Sequence, residues 1–128
     1  MPYNVLIVDD SKTIRSIIIK TLKLTKLDIG EIYEAANGKE GLECIQNHRV
    51  HVILSDLNMP VMSGLEMVST MAEDGILNDI PVIVVSTDGS TRRIEELKRK
   101  GVREYIRKPF TPEGIGEAID RVLGVKHE

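Results

Sequence analysis

At 128 residues the chain has the length of one ordinary domain, and 41% hydrophobic residues suffice for a core that takes roughly two thirds of the unfolded surface out of water. A formal net charge of -3, from 17 basic and 20 acidic residues, carries neither a nucleic-acid signature nor that of an acidic tail. Cys44 is the only cysteine, which excludes an internal disulfide, and His48, His51 and His127 form no zinc-type spacing with it.

The first apolar run, Val5 to Val8, meets the acid pair Asp9 and Asp10 after four aliphatics. That is far short of a signal-peptide core or of the ~20 residues a spanning helix needs, so the expectation is a soluble, cytoplasmic protein. Ile14, Ile17, Ile18 and Leu22 come next at helical spacing, with Ser11 as N-cap. Ile32 to Ala35 reads as a second strand and Leu42 with Ile45 as its helix. Val52 to Leu54 is a third strand, followed by a helix on Leu65, Val68, Met71 and Ala72. PVIVVS, residues 81–86, is the fourth strand; Ile94 and Leu97 mark its helix, which Gly101 ends. Tyr105 and Ile106 form the fifth strand. Thr111 then caps a last helix that starts at Pro112 and carries Ile115, Ile119, Val122 and Leu123.

Five strand–helix units without repeats or low-complexity linkers predict one α/β domain over residues 1–128. Its parallel sheet, with helices on both faces, is expected in the order 2-1-3-4-5. In that order ligands collect where the order reverses, at the carboxyl ends of strands 1 and 3. Strand 1 ends in Asp9 and Asp10, strand 3 in Asp56, strand 4 in Ser86 and Thr87, and strand 5 in Lys108 before Pro109.

Three carboxylates at one edge repel each other unless a cation is present. A hard divalent ion, Mg²⁺ or Mn²⁺ in its place, relieves that repulsion and bridges to phosphate oxygens. The set therefore points to phosphoryl transfer: Asp56 as nucleophile, with the metal, Lys108 and the Ser86 hydroxyl on the equatorial oxygens.

The chain resembles the receiver domains of bacterial two-component response regulators, and among them the single-domain CheY kind. The residues that carry the likeness are VLIVDDS, EAANG, SDLNMPVMSG, PVIVVST and EYIRKPF, which span almost the whole chain. The resemblance implies that Asp56 accepts phosphate from a histidine kinase and that the Asn58 backbone carbonyl joins Asp9, Asp10 and Asp56 around the metal. It also implies a cis Lys108–Pro109 bond. Ser86 and Tyr105 are implied as switch residues that alter the face of helix 4, strand 5 and helix 5. The family commonly has Ala where Thr87 stands, which implies a narrower gate, and Asn58 and Asp88 occupy positions that tune acyl-phosphate lifetime.

Two other readings share parts of this pattern. A haloacid-dehalogenase-like phosphatase places its nucleophile in a D-x-D motif after strand 1, where this chain reads DDSKT. An FMN-binding flavodoxin-like protein needs a phosphate loop there with open helix amides, and two acids stand in it instead. Residues 91–108 hold eight bases against three glutamates, which is either a solvated face or a docking surface for an acidic partner segment. Arg103 and Glu104 precede Tyr105 where dimerising receivers commonly carry an acidic pair. The expectation is a monomer that acts through a protein partner, without nucleic acid or membrane.

Overall fold

The structure, a computed structural model, describes residues 2–87 and 90–124. Strands β1 (Tyr3–Val8), β2 (Ile29–Ala35), β3 (Val52–Ser55), β4 (Val82–Ser86) and β5 (Glu104–Arg107) alternate with helices α1 (Lys12–Lys23), α2 (Gly38–Asn47), α3 (Gly64–Glu73), α4 (Thr91–Arg99) and α5 (Pro112–Leu123). All strand pairs are parallel, and the sheet order is β2-β1-β3-β4-β5, as the alternation of elements predicts.

The three inner strands are apolar on both faces because both faces are covered. Alternate residues divide between two cores. Leu6, Val8, Ile53, Val82 and Val84 pack with Met67, Val68 and Met71 of α3 and Leu97 of α4. Val5, Ile7, Val52, Leu54, Ile83 and Val85 pack with Ile18 and Leu22 of α1 and with Ile115, Ala118 and Ile119 of α5. Each buried Val, Leu, Ile or Met among them contributes about 1.5–3 kcal/mol relative to exposure, which fixes the sheet as the frame that holds the strand ends.

The edge strands depart from the sequence reading. β2 begins at Ile29, three residues before the predicted Ile32, because Gly30 and Glu31 are exposed on an outer strand and carry no apolar signal. Its start is tied by Asn4, whose Oδ1 accepts the Glu31 N–H at 2.9 Å while Nδ2 donates to the Arg49 carbonyl at 2.8 Å. The β1–β2 register shifts between Tyr3 and Val5, around this side chain.

Helix starts follow local capping chemistry. Ser11 and Thr111 accept N–H bonds from Ile14 and Gly114, as expected, with Pro112 in the first turn of α5. Asn37 and Ser90 cap α2 and α4, and Ser63 forms a capping box with Glu66 at the start of α3. Gly101 follows the α4 C-cap at φ +108, where a Cβ would strike Leu77.

Candidate functional site

β1 and β3 are neighbours, so Asp9 and Asp56 leave adjacent strand ends; the Asp56 N–H donates to the Val8 carbonyl at 2.9 Å. One carboxylate oxygen from each of Asp9, Asp10 and Asp56 falls within 4.8 Å of the others. Asp9 is buried, Asp56 half-buried and Asp10 exposed, so the cluster opens to solvent on the Asp10 side. Lys108 enters from the end of β5 and sets its ammonium 3.3 Å from Asp9 Oδ2 and 3.7 Å from Asp56 Oδ2.

Each acid has a distinct support. Asp9 Oδ1 accepts the Ser11 N–H at 2.9 Å, and the Arg15 guanidinium donates to the Asp9 backbone carbonyl at 2.6 Å while pairing with Glu34 at 3.0 Å. Asp56 Oδ1 accepts the Leu57 N–H at 2.8 Å, and the buried Ser55 hydroxyl donates to the Asp56 carbonyl at 2.8 Å. Burial pushes the Asp56 carboxyl above its ordinary pKa; the Leu57 N–H and Lys108 pull it down, and the charges of Asp9 and Asp10 add to the rise. An acid left in that position is stabilised by a further cation.

The loop after Asp56 is held by Gly64. Its N–H donates to the Leu57 carbonyl at 2.9 Å, and a Cβ at this position would collide with the Asp56 carbonyl oxygen. Only a glycine lets α3 start this close to the Asp56 backbone. Within the same loop Val61 adopts φ +67, and the Met62 N–H bonds back to the Pro60 carbonyl at 2.7 Å. That is a tight γ-type turn centred on a β-branched residue, whose side chain is exposed.

Ser86 ends β4 almost wholly buried, and its carbonyl accepts the Lys108 N–H at 2.8 Å, which joins the β4 and β5 ends directly. Thr87, the next residue, is exposed, as is Asn58 on the Asp56 loop. Tyr105 packs against the α3–α4 core with its hydroxyl out of solvent. The Lys108–Pro109 bond is cis. Asp88 lies outside the described residues.

Sequence pattern alone does not single out Arg15, Ser55 or Gly64. A base at position 15, among isoleucines and four positions after the Ser11 cap, is the one signal that marks the first of them.

The model for the response regulator receiver domain matches residues 5–120. The chain belongs to the response regulator receiver domain family. It is similar to the chemotaxis protein CheY homolog of Campylobacter jejuni, at 40% identity over 93% of this chain and 91% of the relative. CheY1 of Helicobacter pylori is 38% identical over 93% and 95%. Among solved structures, chemotaxis response regulator CheY4 of Vibrio cholerae superposes with a TM-score of 0.84 at 36% identity, over 96% of this chain and 100% of that one. A chain of the CheX–CheY complex with beryllofluoride and Mg²⁺ from Borrelia burgdorferi gives 0.86 at 28% identity, over 98% and 92%. This receiver has the CheY-like flavodoxin fold, and neither the phosphatase nor the FMN-binding reading is supported. No helix among the described residues is long and apolar enough to cross a membrane.

Proposed function

We propose that Asp56 is the phosphoacceptor of this receiver and takes its phosphoryl group from a histidine kinase. The observation that carries this reading is the arrangement of Asp9, Asp10 and Asp56 within 4.8 Å at the β1–β3 junction, with the Lys108 ammonium against two of them. A carboxylate oxygen of Asp56 forms the new bond to phosphorus as the bond to the histidine nitrogen breaks. The electron pair leaves with the imidazole.

Three carboxylates with one outward-facing member suit a hard divalent ion, and Asp9, Asp10, Asp56 and the Asn58 backbone carbonyl would hold Mg²⁺ or Mn²⁺. When bound, the ion neutralises charge on the phosphoryl oxygens. The Lys108 ammonium offers a second positive contact, and the Ser86 hydroxyl a hydrogen bond. Thr87 and Asn58 border the entrance and, with Asp88, tune how readily water reaches the acyl phosphate. The protein catalyses only its own phosphorylation and dephosphorylation.

The output passes through Ser86 and Tyr105 to the face of α4, β5 and α5, which a protein partner reads. The chemotaxis names of the relatives support a motility-type pathway; in this reading the chain acts in the cytoplasm as a monomer with one receiver domain. On that face Arg92, Lys98, Arg99, Lys100 and Arg107 are exposed, which favours an acidic partner segment.

Incubation with acetyl phosphate and Mg²⁺, followed by intact mass, tests the assignment. The wild-type chain gains one phosphoryl group and Asp56→Asn gains none. An equal gain in the variant refutes Asp56 as acceptor, and full activity in EDTA refutes the metal role.

A further inference from the structure

We infer that a cavity at the pole of the sheet opposite Asp56 binds a small organic anion. The cavity measures about 460 Å³ and lies where the chain enters β3, β4 and β5, away from the strand ends that carry the acid cluster. Arg49, from the α2–β3 connection, and Arg103, from the α4–β5 connection, both line it. Neither makes an ion pair with any described residue, whereas Arg15, Arg93 and Arg121 each pair with a glutamate. Two guanidiniums brought from distant segments to one cavity concentrate positive charge there, and their planar forks suit a carboxylate or phosphate head.

His51 supplies a third donor with a fixed direction. Its Nδ1 accepts the Asn4 backbone N–H at 2.9 Å, and its own backbone N–H donates to the Asn4 carbonyl at 2.9 Å. The neutral ring therefore carries its proton on Nε2, and that ring N–H has no partner among the described residues. The Tyr3 ring, edge-on with centroids 5.7 Å apart, holds the imidazole in place. Asp79 also lines the cavity and offsets one guanidinium, so the local balance is 2 - 1 = +1 and favours a monoanion over a polyanion. Ile80 and Leu123 give the walls an apolar part. The volume lies in the lower part of the ~300–1,000 Å³ range of small-molecule sites, which limits the ligand to a short apolar body behind the charged head.

Amide NMR spectra of the full chain without metal test this, with phenylphosphonate and benzoate as probes for phosphate-type and carboxylate-type ligands. Benzyl alcohol is the neutral control and inorganic phosphate the headgroup without a body. Expected are saturable shifts at Val50, His51, Ile80, Arg103 and Leu123 with one or both organic anions, with a dissociation constant on the order of 1 mM. Benzyl alcohol should give none, and inorganic phosphate should bind at least several-fold more weakly. Arg49→Gln with Arg103→Gln changes only exposed side chains and should weaken binding about tenfold or more; Asp79→Asn should tighten it. Absence of saturable shifts at these residues overturns the proposal, as does unchanged affinity in the double arginine variant. Equal binding of inorganic phosphate refutes the organic part of it.

Discussion

Lys108 and Asp9, 99 positions apart in the chain, meet at 3.3 Å at the carboxyl edge of the sheet. The Lys108 side chain is 15% exposed and that of Asp9 only 3%, so this ion pair is closer to a core contact than to a surface one. It ties the end of β5 to the end of β1 across two intervening strands. The ammonium pairs with two of the carboxylates that would hold a divalent ion, so lysine and metal would compete for the same charges.

Lys108→Ala should therefore have two opposite effects. Without metal it leaves Asp9 buried and unpaired, a loss of about 2–3 kcal/mol at neutral pH after discounting for partial exposure. It should also raise Mg²⁺ affinity several-fold, because the competing charge is gone. Urea unfolding with and without Mg²⁺, and a metal titration followed by amide shifts, measure both. A variant that is destabilised yet binds Mg²⁺ more weakly would show that Lys108 organises the metal site.

Asp56→Asn should stabilise the metal-free protein at neutral pH. Burial, reinforced by Asp9 and Asp10, raises the Asp56 pKa in the folded state above its unfolded value. The folded protein thus holds that proton more tightly than the unfolded chain. The associated stability is fully present below the ordinary Asp range and is lost as pH rises through the raised value. The asparagine variant keeps an oxygen for the Leu57 N–H and carries no such cost, so its advantage should be largest near pH 7 and shrink toward acid. Saturating Mg²⁺ should narrow the gap by stabilising the wild type. Urea melts across pH, with and without metal, check the sign.

The inner strands and the acid cluster are legible in the sequence for one physical reason. Val5 to Val8, Val52 to Leu54 and Val82 to Val85 are continuous apolar runs because both sheet faces are covered, and each run stops in a polar residue at the same carboxyl edge of the sheet. The polar residues just past the end of one run are therefore spatial neighbours of those past the others. The start of β2 is hidden because an edge strand needs no such run, and Gly30 and Glu31 are exposed. Gly64 is hidden because its role is a missing side chain, visible only once the Asp56 carbonyl is seen against it. The link from Arg15 to the Asp9 carbonyl depends on how α1 sits on the sheet, which periodicity alone does not specify.

Gly64→Ala should damage site and stability together. The added methyl meets backbone atoms of Asp56 and Leu57, which have no rotamer with which to move aside. Overpacking of this kind costs roughly 1–3 kcal/mol, and relief requires the Asp56 loop to shift. Phosphorylation by acetyl phosphate should slow about tenfold or more, since displacement by an ångström is enough for losses of that order. Wild-type rates at reduced thermal stability would show that the loop yields without moving Asp56.

Val61→Gly should act in the opposite direction. A β-branched residue at φ +67 in a γ-type turn carries backbone strain of about 1–3 kcal/mol, and its exposed side chain recovers little by packing. Glycine adopts positive φ without a Cβ clash, and that relief outweighs the entropy it adds to the unfolded chain, so thermal denaturation should show a gain of about 1 kcal/mol with the turn retained. Unchanged stability would mean that valine's contacts within the loop offset the strain.

Ser86 and Thr87 carry adjacent hydroxyls in opposite environments, the first almost wholly buried and the second exposed. Successive side chains at a strand end point to opposite faces, so the two do not serve the same task. A hydroxyl that hydrogen-bonds the phosphoryl group binds the phosphorylated state preferentially, and only such a difference shifts a two-state equilibrium; a residue at the entrance changes rates of access without it. Ser86→Ala should still accept phosphate on Asp56 but lose much of the response around Tyr105 and α4. Thr87→Ala should keep that response and alter donor access. With no tryptophan in the chain, amide shifts with and without beryllofluoride are the best probe of the change. Full shifts in Ser86→Ala with lost shifts in Thr87→Ala would assign the switch to Thr87, and the burial of Ser86 would then serve packing against the β4–β5 junction.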